Sequence, residues 1–378
     1  MIERRSRGID DGARHAGRAA GGGVEGASLS SPLLAVETSC DDTCAAVVTV
    51  GGQVLSSVVS SQDEVHGRFQ GVVPELASRE HMRLILPVIQ EALRRASITP
   101  QDLVGVAVTN GPGLIGSLLV GLSTAKGLAY ALGVPLIGVN HIEAHLMAVL
   151  ADGPVATPAV GLVVSGGHTE LLEVSEWGTW KVLGSTRDDA AGEAFDKVAK
   201  MLNLGFPGGP AIDRAARSGS PAAFSFPRAM MNVGKGGMDF SFSGLKTAVK
   251  VFLDGRSWPA EPTGSMERST FVADVAASFQ AAVVDVLAVK LAAAAEATSC
   301  NRVLVCGGVA CNSLLRSRLQ EMAGAKGWDL HIPAPSLCSD NGVMVGLAGV
   351  HHYRRREFSP LSLPAIPNLD DWSGLYGA

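Results

Sequence analysis

The chain has 378 residues, of which 47% are hydrophobic, 5% aromatic and 18% charged, with 45 glycines and a net charge of -5. At roughly 100–200 residues per domain this length predicts two domains, and the apolar content excludes a chain disordered throughout. With so few aromatics the packing falls to Val, Leu, Ala and Gly, a mix that favours α/β over an all-β sandwich.

Residues 1–31 are rich in Arg, Gly, Ala and Ser and lack an apolar core segment, which predicts a disordered extension and not a secretory signal. The scattered Arg4, Arg5, Arg7, Arg14 and Arg18 leave an organellar leader open, while Glu3, Asp10, Asp11 and Glu25 argue against it. Leu33–Glu37 and Ala45–Val50 read as strands of a hairpin whose tip is Thr38-Ser39-Cys40-Asp41-Asp42-Thr43. Asp41 and Asp42 could hold a cation or orient a nucleophile there, or simply build an Asx turn. A third strand follows at Gln53–Ser60, then a helix over Leu84–Ala96, a strand at Val104–Thr109 and a helix over Ser117–Leu132. Gly111 to Gly116 spells GxGxxG between strand and helix. No acid closes the next strand, Leu136–Asn140, where a dinucleotide fold would need one for the ribose.

His141-Ile142-Glu143-Ala144-His145 opens the following helix. Histidines four apart share a face and can share a metal. Glu143, at about 100° per residue, points away from them, so the geometry of a zinc peptidase HExxH is not met. The pair alone fits either a helix-terminal contact or a metal site lacking a further ligand. Asp340, in a loop before an apolar helix, is a candidate third ligand and equally a candidate N-cap.

The second half restarts the plan. Val160–Val164 and Glu170–Val174 flank Ser165-Gly166-Gly167-His168-Thr169, a tip whose backbone N–H groups and hydroxyls could grip phosphate. Asp188 to Lys197 is charge-rich, with Asp196 and Lys197 expected just before a helix. Pro207 to Pro210 with Asp213 reads as a rigid polar loop. A helix over Phe271–Ala297, the strand Arg302–Cys306, a Gly-Gly turn and a helix from Asn312 to Glu321 complete the pattern, which predicts an internal duplication. The most apolar stretch, Ala281–Ala295, is broken by Asp285 and Lys290 and reads as a buried helix, not a membrane span. The six cysteines form no CxxC and suit a reducing compartment.

Taken in order, Glu37–Thr43, His141–His145, Ser165–Thr169, Asp189–Lys197, Phe240–Lys246 and Ser339–Gly342 closely resemble the tRNA N6-adenosine threonylcarbamoyltransferase family, formerly described as O-sialoglycoprotein endopeptidases. The likeness runs from about Leu33 to Val350. It implies the actin, sugar-kinase and heat-shock-chaperone ATPase fold, with an N-terminal lobe over 32–140 and a C-terminal lobe over 141–340. A helix over 341–358 would return to the first lobe, ahead of an irregular tail over 359–378. It implies transfer of the threonylcarbamoyl group of threonylcarbamoyl-AMP, with release of AMP, to N6 of adenosine 37 beside the anticodon in tRNAs reading codons that begin with A.

By the same resemblance His141, His145 and Asp340 hold one divalent metal, iron in the family, with zinc or magnesium as alternatives. Val163, Val164, Ser165, Gly166, Gly167, Asp196, Gly209, Asp213 and Asn312 match its substrate positions, and Asp41 is the candidate to orient the amine or take its proton. An inactive paralogue and a small ATPase are the implied partners, with a dimerisation surface expected on the first lobe's helices, and the cytoplasm is the implied location. A metallopeptidase and a small-molecule kinase on the same fold are the alternative readings. The net charge is unusual for a tRNA partner, since basic runs are confined to Arg94-Arg95 and Arg354-Arg355-Arg356.

Overall fold

The computed structural model describes residues 27–231, 237–255 and 266–368; residues 1–26 of the expected extension and 369–378 of the expected tail lie outside the described residues. Two five-stranded mixed sheets carry the chain. In the first, β1 (Pro32–Glu37), β2 (Thr43–Thr49) and β3 (Val54–Ser60) form an antiparallel meander, and β4 (Gly105–Gly111) and β5 (Leu136–Asn140) join in parallel, in the order β3-β2-β1-β4-β5. In the second, β6 (Ala159–Val164), β7 (Thr169–Glu176) and β8 (Thr179–Ser185) make the meander, and β9 (Arg302–Cys306) and β10 (Asp329–His331) run parallel, in the order β10-β9-β6-β7-β8. Strand for strand, the second order repeats the first. The duplication expected from the two hairpins is present in the topology.

Alternation along β1 decides how the first sheet is covered. Leu33 and Ala35 face one side with Ala46 and Val48, under α10 (Gly342–Arg355). Leu34 and Val36 face the other with Ala45 and Val47, under α2 (Pro74–Ala96) and α3 (Ile115–Leu132), which follow the short α1 (Asp63–Gly67). Both faces are apolar because both are covered. On the second sheet, Val160, Leu162 and Val164 pack with α5 (Ala191–Met201), α6 (Gly208–Ala216), α7 (Ser243–Asp254), α8 (Met266–Ala297) and α9 (Ser313–Lys326). The opposite face, with Val163, Leu172 and Leu304, takes Ile142, Leu146 and Val149 from α4 (His141–Met147) and the turn after it. Ala144 and Met147 of the same helix belong to the first sheet's core. Helix α4 therefore lies between the two sheets.

Three expectations need correction. Helix α2 begins at Pro74 and not Leu84; proline suits the first turn, and the buried residues of its opening turns, Ala77 and His81, make no apolar stripe. Asp196 and Lys197 lie inside α5, not before a helix, and Gly208 to Pro210 with Asp213 form the helix α6 capped at Pro207, not a loop, since proline is tolerated in a helix's first turn. By length and composition alone two helices could cross a membrane, Ile115–Leu132 and Ser269–Ala297, although 72% of the window in the second is buried in the protein. The basic runs are largely engaged: Arg94 and Arg95 pair with Glu91, Arg354 donates to Val50 O at 2.8 Å, and Arg355 pairs with Glu357.

Helix α10 is tied to α4 by an ion pair. His352 Nε2 lies 3.1 Å from Glu143 Oε2 and its Nδ1 2.7 Å from Glu357 Oε2. Burial opposes the charge on His352, but Glu143 and Glu357 outweigh it and push its pKa up to about 9. The protonated form is thus favoured by folding. Its stabilisation is complete below about pH 6.5 and is lost as pH rises through about 9. Thermal melts across that window should fall more steeply for the wild type than for His352→Leu; equal slopes would refute the assignment.

Candidate metal centre and ligand site

Strand β5 runs directly into α4 at Asn140, whose side chain accepts from Ile142 N at 2.8 Å and Glu143 N at 3.2 Å and so caps the helix. The cap fixes His141 at the first position, with His145 one turn on. Their rings meet edge to face, with centroids 4.6 Å apart. Asp340 arrives from the far end of the chain: its Oδ1 is 3.2 Å from His145 Nε2 and 3.5 Å from His141 Nε2. It is not the N-cap of α10. Asn341 takes that role, accepting from Met344 N at 2.9 Å, which leaves the Asp340 carboxylate free to face the histidines.

The three donor atoms lie within 4.8 Å of one another, the single such His/Cys/Asp/Glu group among the described residues. Two observations fit a divalent metal here. His141 Nδ1 is held by Glu37 Oε2 and Ser39 Oγ, each at 3.1 Å, which turns Nε2 toward Asp340 in the manner of a carboxylate-backed metal ligand. Both ring nitrogens of His145 are buried without an aligned hydrogen bond, a cost of about 1–3 kcal/mol that a cation on Nε2 would relieve. Without an ion, burial disfavours charge on His141, but Asp340 and Glu37 raise its pKa to about 9. Burial likewise opposes charge on Asp340, and the histidines overcome it and hold the carboxyl well below its ordinary range.

Glu37 is the functional residue that the sequence reading passed over. It ends β1, is fully buried, and accepts Thr109 Oγ1 at 2.6 Å as well as His141. A glutamate at a strand end carries no signal by itself, and its partner lies 104 residues away. Glu37→Gln is expected to weaken divalent-metal affinity about 10–100-fold with the fold retained, as loss of such an outer partner usually does. Metal titration beside circular dichroism would test this, and unchanged affinity would remove Glu37 from the site.

The two hairpin tips converge on the triad. Ser39 of the first touches His141, and His168 of the second has its ring centroid 6.2 Å from that of His141. Burial, with the charges of His141 and His145, lowers the His168 pKa to about 3, so this ring stays neutral. The second tip closes through Ser165 N to His168 O at 2.8 Å and His168 N to Ser165 Oγ at 3.1 Å. Among the described residues, nothing beyond the chain neighbours lies within 4 Å of where a Cβ on Gly166 or Gly167 would sit. Their missing side chains leave open space beside backbone N–H groups, the arrangement a phosphate needs. Val163 and Val164, the end of β6, are fully buried. Gly192 is the opposite case: a Cβ there would stand 2.6 Å from Ser165 O, so this glycine lets α5 abut the tip. The GxGxxG segment has a packing role, since a Cβ on Gly113 would fall 2.5 Å from Ser39 O.

Asp196 Oδ1 accepts Gly208 N at 2.7 Å, anchoring the start of α6 beside Gly209; burial raises the Asp196 pKa to about 6 against that amide. Asp213 Oδ1 accepts Ser313 N and Oγ at 3.1 and 2.7 Å, tying α6 to α9. Asn312 caps α9 through Leu315 N at 3.0 Å and donates to Gln280 Oε1 at 2.8 Å. Asp196, Asp213 and Asn312 thus bind their own helices together. Asp41 and Asp42 are half-buried acids within electrostatic reach of Asp340 and Asp63; partial desolvation and these neighbours raise both, Asp42 to about 8. Glu143 faces His352, away from the triad.

Two duplicated α/β lobes, with two histidines on the helix between them facing an aspartate from the loop before α10, define a protein of the actin-like ATPase fold with a candidate metal centre. Solved structures share the fold. Full-length HypF in its phosphate- and nucleotide-bound form matches with TM-score 0.56 and 14% identity over 88% of this chain and 47% of its own. HypF of T. kodakarensis matches with TM-score 0.56 and 15% identity over 89% and 50%.

Sequence comparison narrows the class. A family model described as tRNA N6-adenosine threonylcarbamoyltransferase matches residues 53–347. A relative of that name from Geotalea uraniireducens is 52% identical over 89% of this chain and 95% of its own, and one from Moorella thermoacetica is 49% identical over 92% and 99%. The chain belongs to the tRNA N6-adenosine threonylcarbamoyltransferase family.

Proposed function

We propose that this chain transfers a threonylcarbamoyl group from threonylcarbamoyl-AMP to N6 of adenosine 37 in tRNAs reading codons that begin with A, releasing AMP. The observation that carries the reading is the His141, His145 and Asp340 cluster between the lobes of a chain in this family. The triad would hold one divalent ion, and two imidazoles with one carboxylate suit Fe(II). When bound, the ion supplies Lewis acidity toward oxygens of the substrate.

The remaining steps fall to the protein. The adenine amine is a weak nucleophile, so the reactivity resides in the mixed anhydride between the carbamoyl carbon and phosphate. Backbone N–H groups of Gly166 and Gly167, in the turn that Ser165 closes, bind the phosphate and stabilise charge as AMP leaves. Asp41 orients the amine and takes its proton as the new C–N bond forms. Asp196, Gly209, Asp213 and Asn312 shape the wall that receives the nucleotide, and Val163 and Val164 hold the tip rigid. Partner subunits, an inactive paralogue and a small ATPase, assist. The docking face lies on α2 and α3, where Met82, Leu86, Ile115 and Leu119 remain exposed. The reaction belongs in the cytoplasm, as for bacterial enzymes that act on tRNA.

The reading is tested by nucleoside mass spectrometry of tRNA from cells depleted of this protein. Threonylcarbamoyladenosine should vanish on depletion and return with the wild-type chain. Its persistence, with no second copy of the gene present, would refute the function.

A further inference from the structure

Two cysteines stand outside the ligand set but beside it. Cys311 ends the 3-10 turn Gly308–Cys311 and immediately precedes Asn312. Cys338 follows the 3-10 turn Pro335–Leu337 and stands shortly before Asp340. The fold brings them together on the segment 333–338, where Cys338 Sγ donates to Pro333 O at 3.4 Å. Cys311 Sγ and the backbone N–H of Cys338 also donate to one carbonyl, Pro335 O, each at 3.3 Å. Arg316 of α9 braces the pair, donating to Ala310 O at 2.7 Å, Pro333 O at 2.6 Å and Cys338 Sγ at 3.1 Å. Cys338 is fully buried, whereas Cys311 is partly exposed.

Cys311 is the thiol that solvent reaches, with the buried Cys338 behind it. The neighbouring Cys338, helped by the Arg316 charge, lowers the Cys311 pKa against the opposing effect of burial, which favours its thiolate. The thiols of Cys44 and Cys306, by contrast, are fully buried and raised by burial.

We propose that Cys311 and Cys338 are a reversible disulfide site, oxidised by peroxide, that switches the neighbouring metal centre off. The switch rests on the reading of His141, His145 and Asp340 as metal ligands; the disulfide itself does not. In the first step the Cys311 thiolate attacks a peroxide oxygen, the O–O bond breaks, and with one proton taken up the products are a sulfenic acid and water. Cys338 sulfur then attacks Cys311 sulfur, the S–O bond breaks, the S–S bond forms and a second water leaves with the Cys338 proton. Two electrons pass from the thiols to one peroxide. The sulfurs must close to about 2.05 Å. That draws Cys338 away from Arg316 and with it the short segment leading to Asp340, while Cys311 pulls on the Asn312 cap of α9.

The test uses the full chain loaded with Zn(II), which has no redox chemistry of its own, treated with hydrogen peroxide and mapped by peptide mass spectrometry. A Cys311–Cys338 cross-link should form, zinc affinity should fall about tenfold or more, and dithiothreitol should reverse both. Cys311→Ala should bind zinc as the wild type does, before and after peroxide. Absence of the cross-link, or a cross-link confined to other cysteines, would overturn the site. A Cys311–Cys338 cross-link with unchanged zinc affinity would overturn the switch. A reduced chain that binds no zinc would defeat the metal reading, and the switch with it, while the cross-link would still judge the thiol pair.

Discussion

His141→Ala is expected to abolish metal retention and to lower threonylcarbamoyl transfer by more than the roughly 10–100-fold typical of losing an outer partner, because it deletes a donor atom of the triad itself. The ring also serves two further contacts, Glu37 Oε2 and Ser39 Oγ, so its removal frees the first hairpin tip from α4. Asp340→Asn provides the control for that second effect, since it weakens the triad with nearly the same shape and leaves Glu37 and Ser39 on His141. Both variants should give a folded chain by circular dichroism, bind little metal, and fail to restore threonylcarbamoyladenosine in depleted cells. A folded His141→Ala chain that transfers normally without metal would sink the assignment.

Phe279→Ala should carry the largest stability cost of any single truncation considered. Phe279 on α8 is fully buried and meets Phe195 of α5 edge to face at 5.2 Å. Removing such a ring leaves a cavity as well as losing its transfer energy, together about 3–5 kcal/mol. Its neighbour Gln280 receives the Asn312 amide, so looseness in α8 should also reach the start of α9. Urea melts would measure the cost. A loss below about 1 kcal/mol would mean that the helices close over the space, contrary to the usual incomplete relaxation of cores.

The hairpins, the parallel strands β4, β5, β6 and β9, and the long helix were legible because each is a compact apolar run bounded by turn residues. Strand β8 was not: Thr179–Ser185 is mostly exposed or half-buried and has no clear alternation. Helix α5 hid behind its charges, since Glu193, Asp196, Lys197 and Lys200 interrupt the buried Ala191, Ala194, Phe195 and Val198. In the candidate site, spacing placed His141 and His145 on one face, and geometry brings Asp340 to them. The sequence left Asp340 open between ligand and cap, and only the bond from Met344 N to Asn341 decides against the cap. Asp196, Asp213 and Asn312 show a different limit. Their types suggest ligand contact, yet each is engaged with a backbone amide of another turn, a pairing set by tertiary packing.

The chain passes between the sheets through α4, and it returns to the first sheet through α10, just after Asp340. An ion shared by His141, His145 and Asp340 would therefore close a ring of covalent chain around the whole second sheet. Unlike a disulfide, such a ring exists only in the folded chain, where the three donors meet, so the ion's binding energy is added to folding itself. The triad would also act as a clasp on the native state, holding the second lobe's two ends together and raising the cost of opening either.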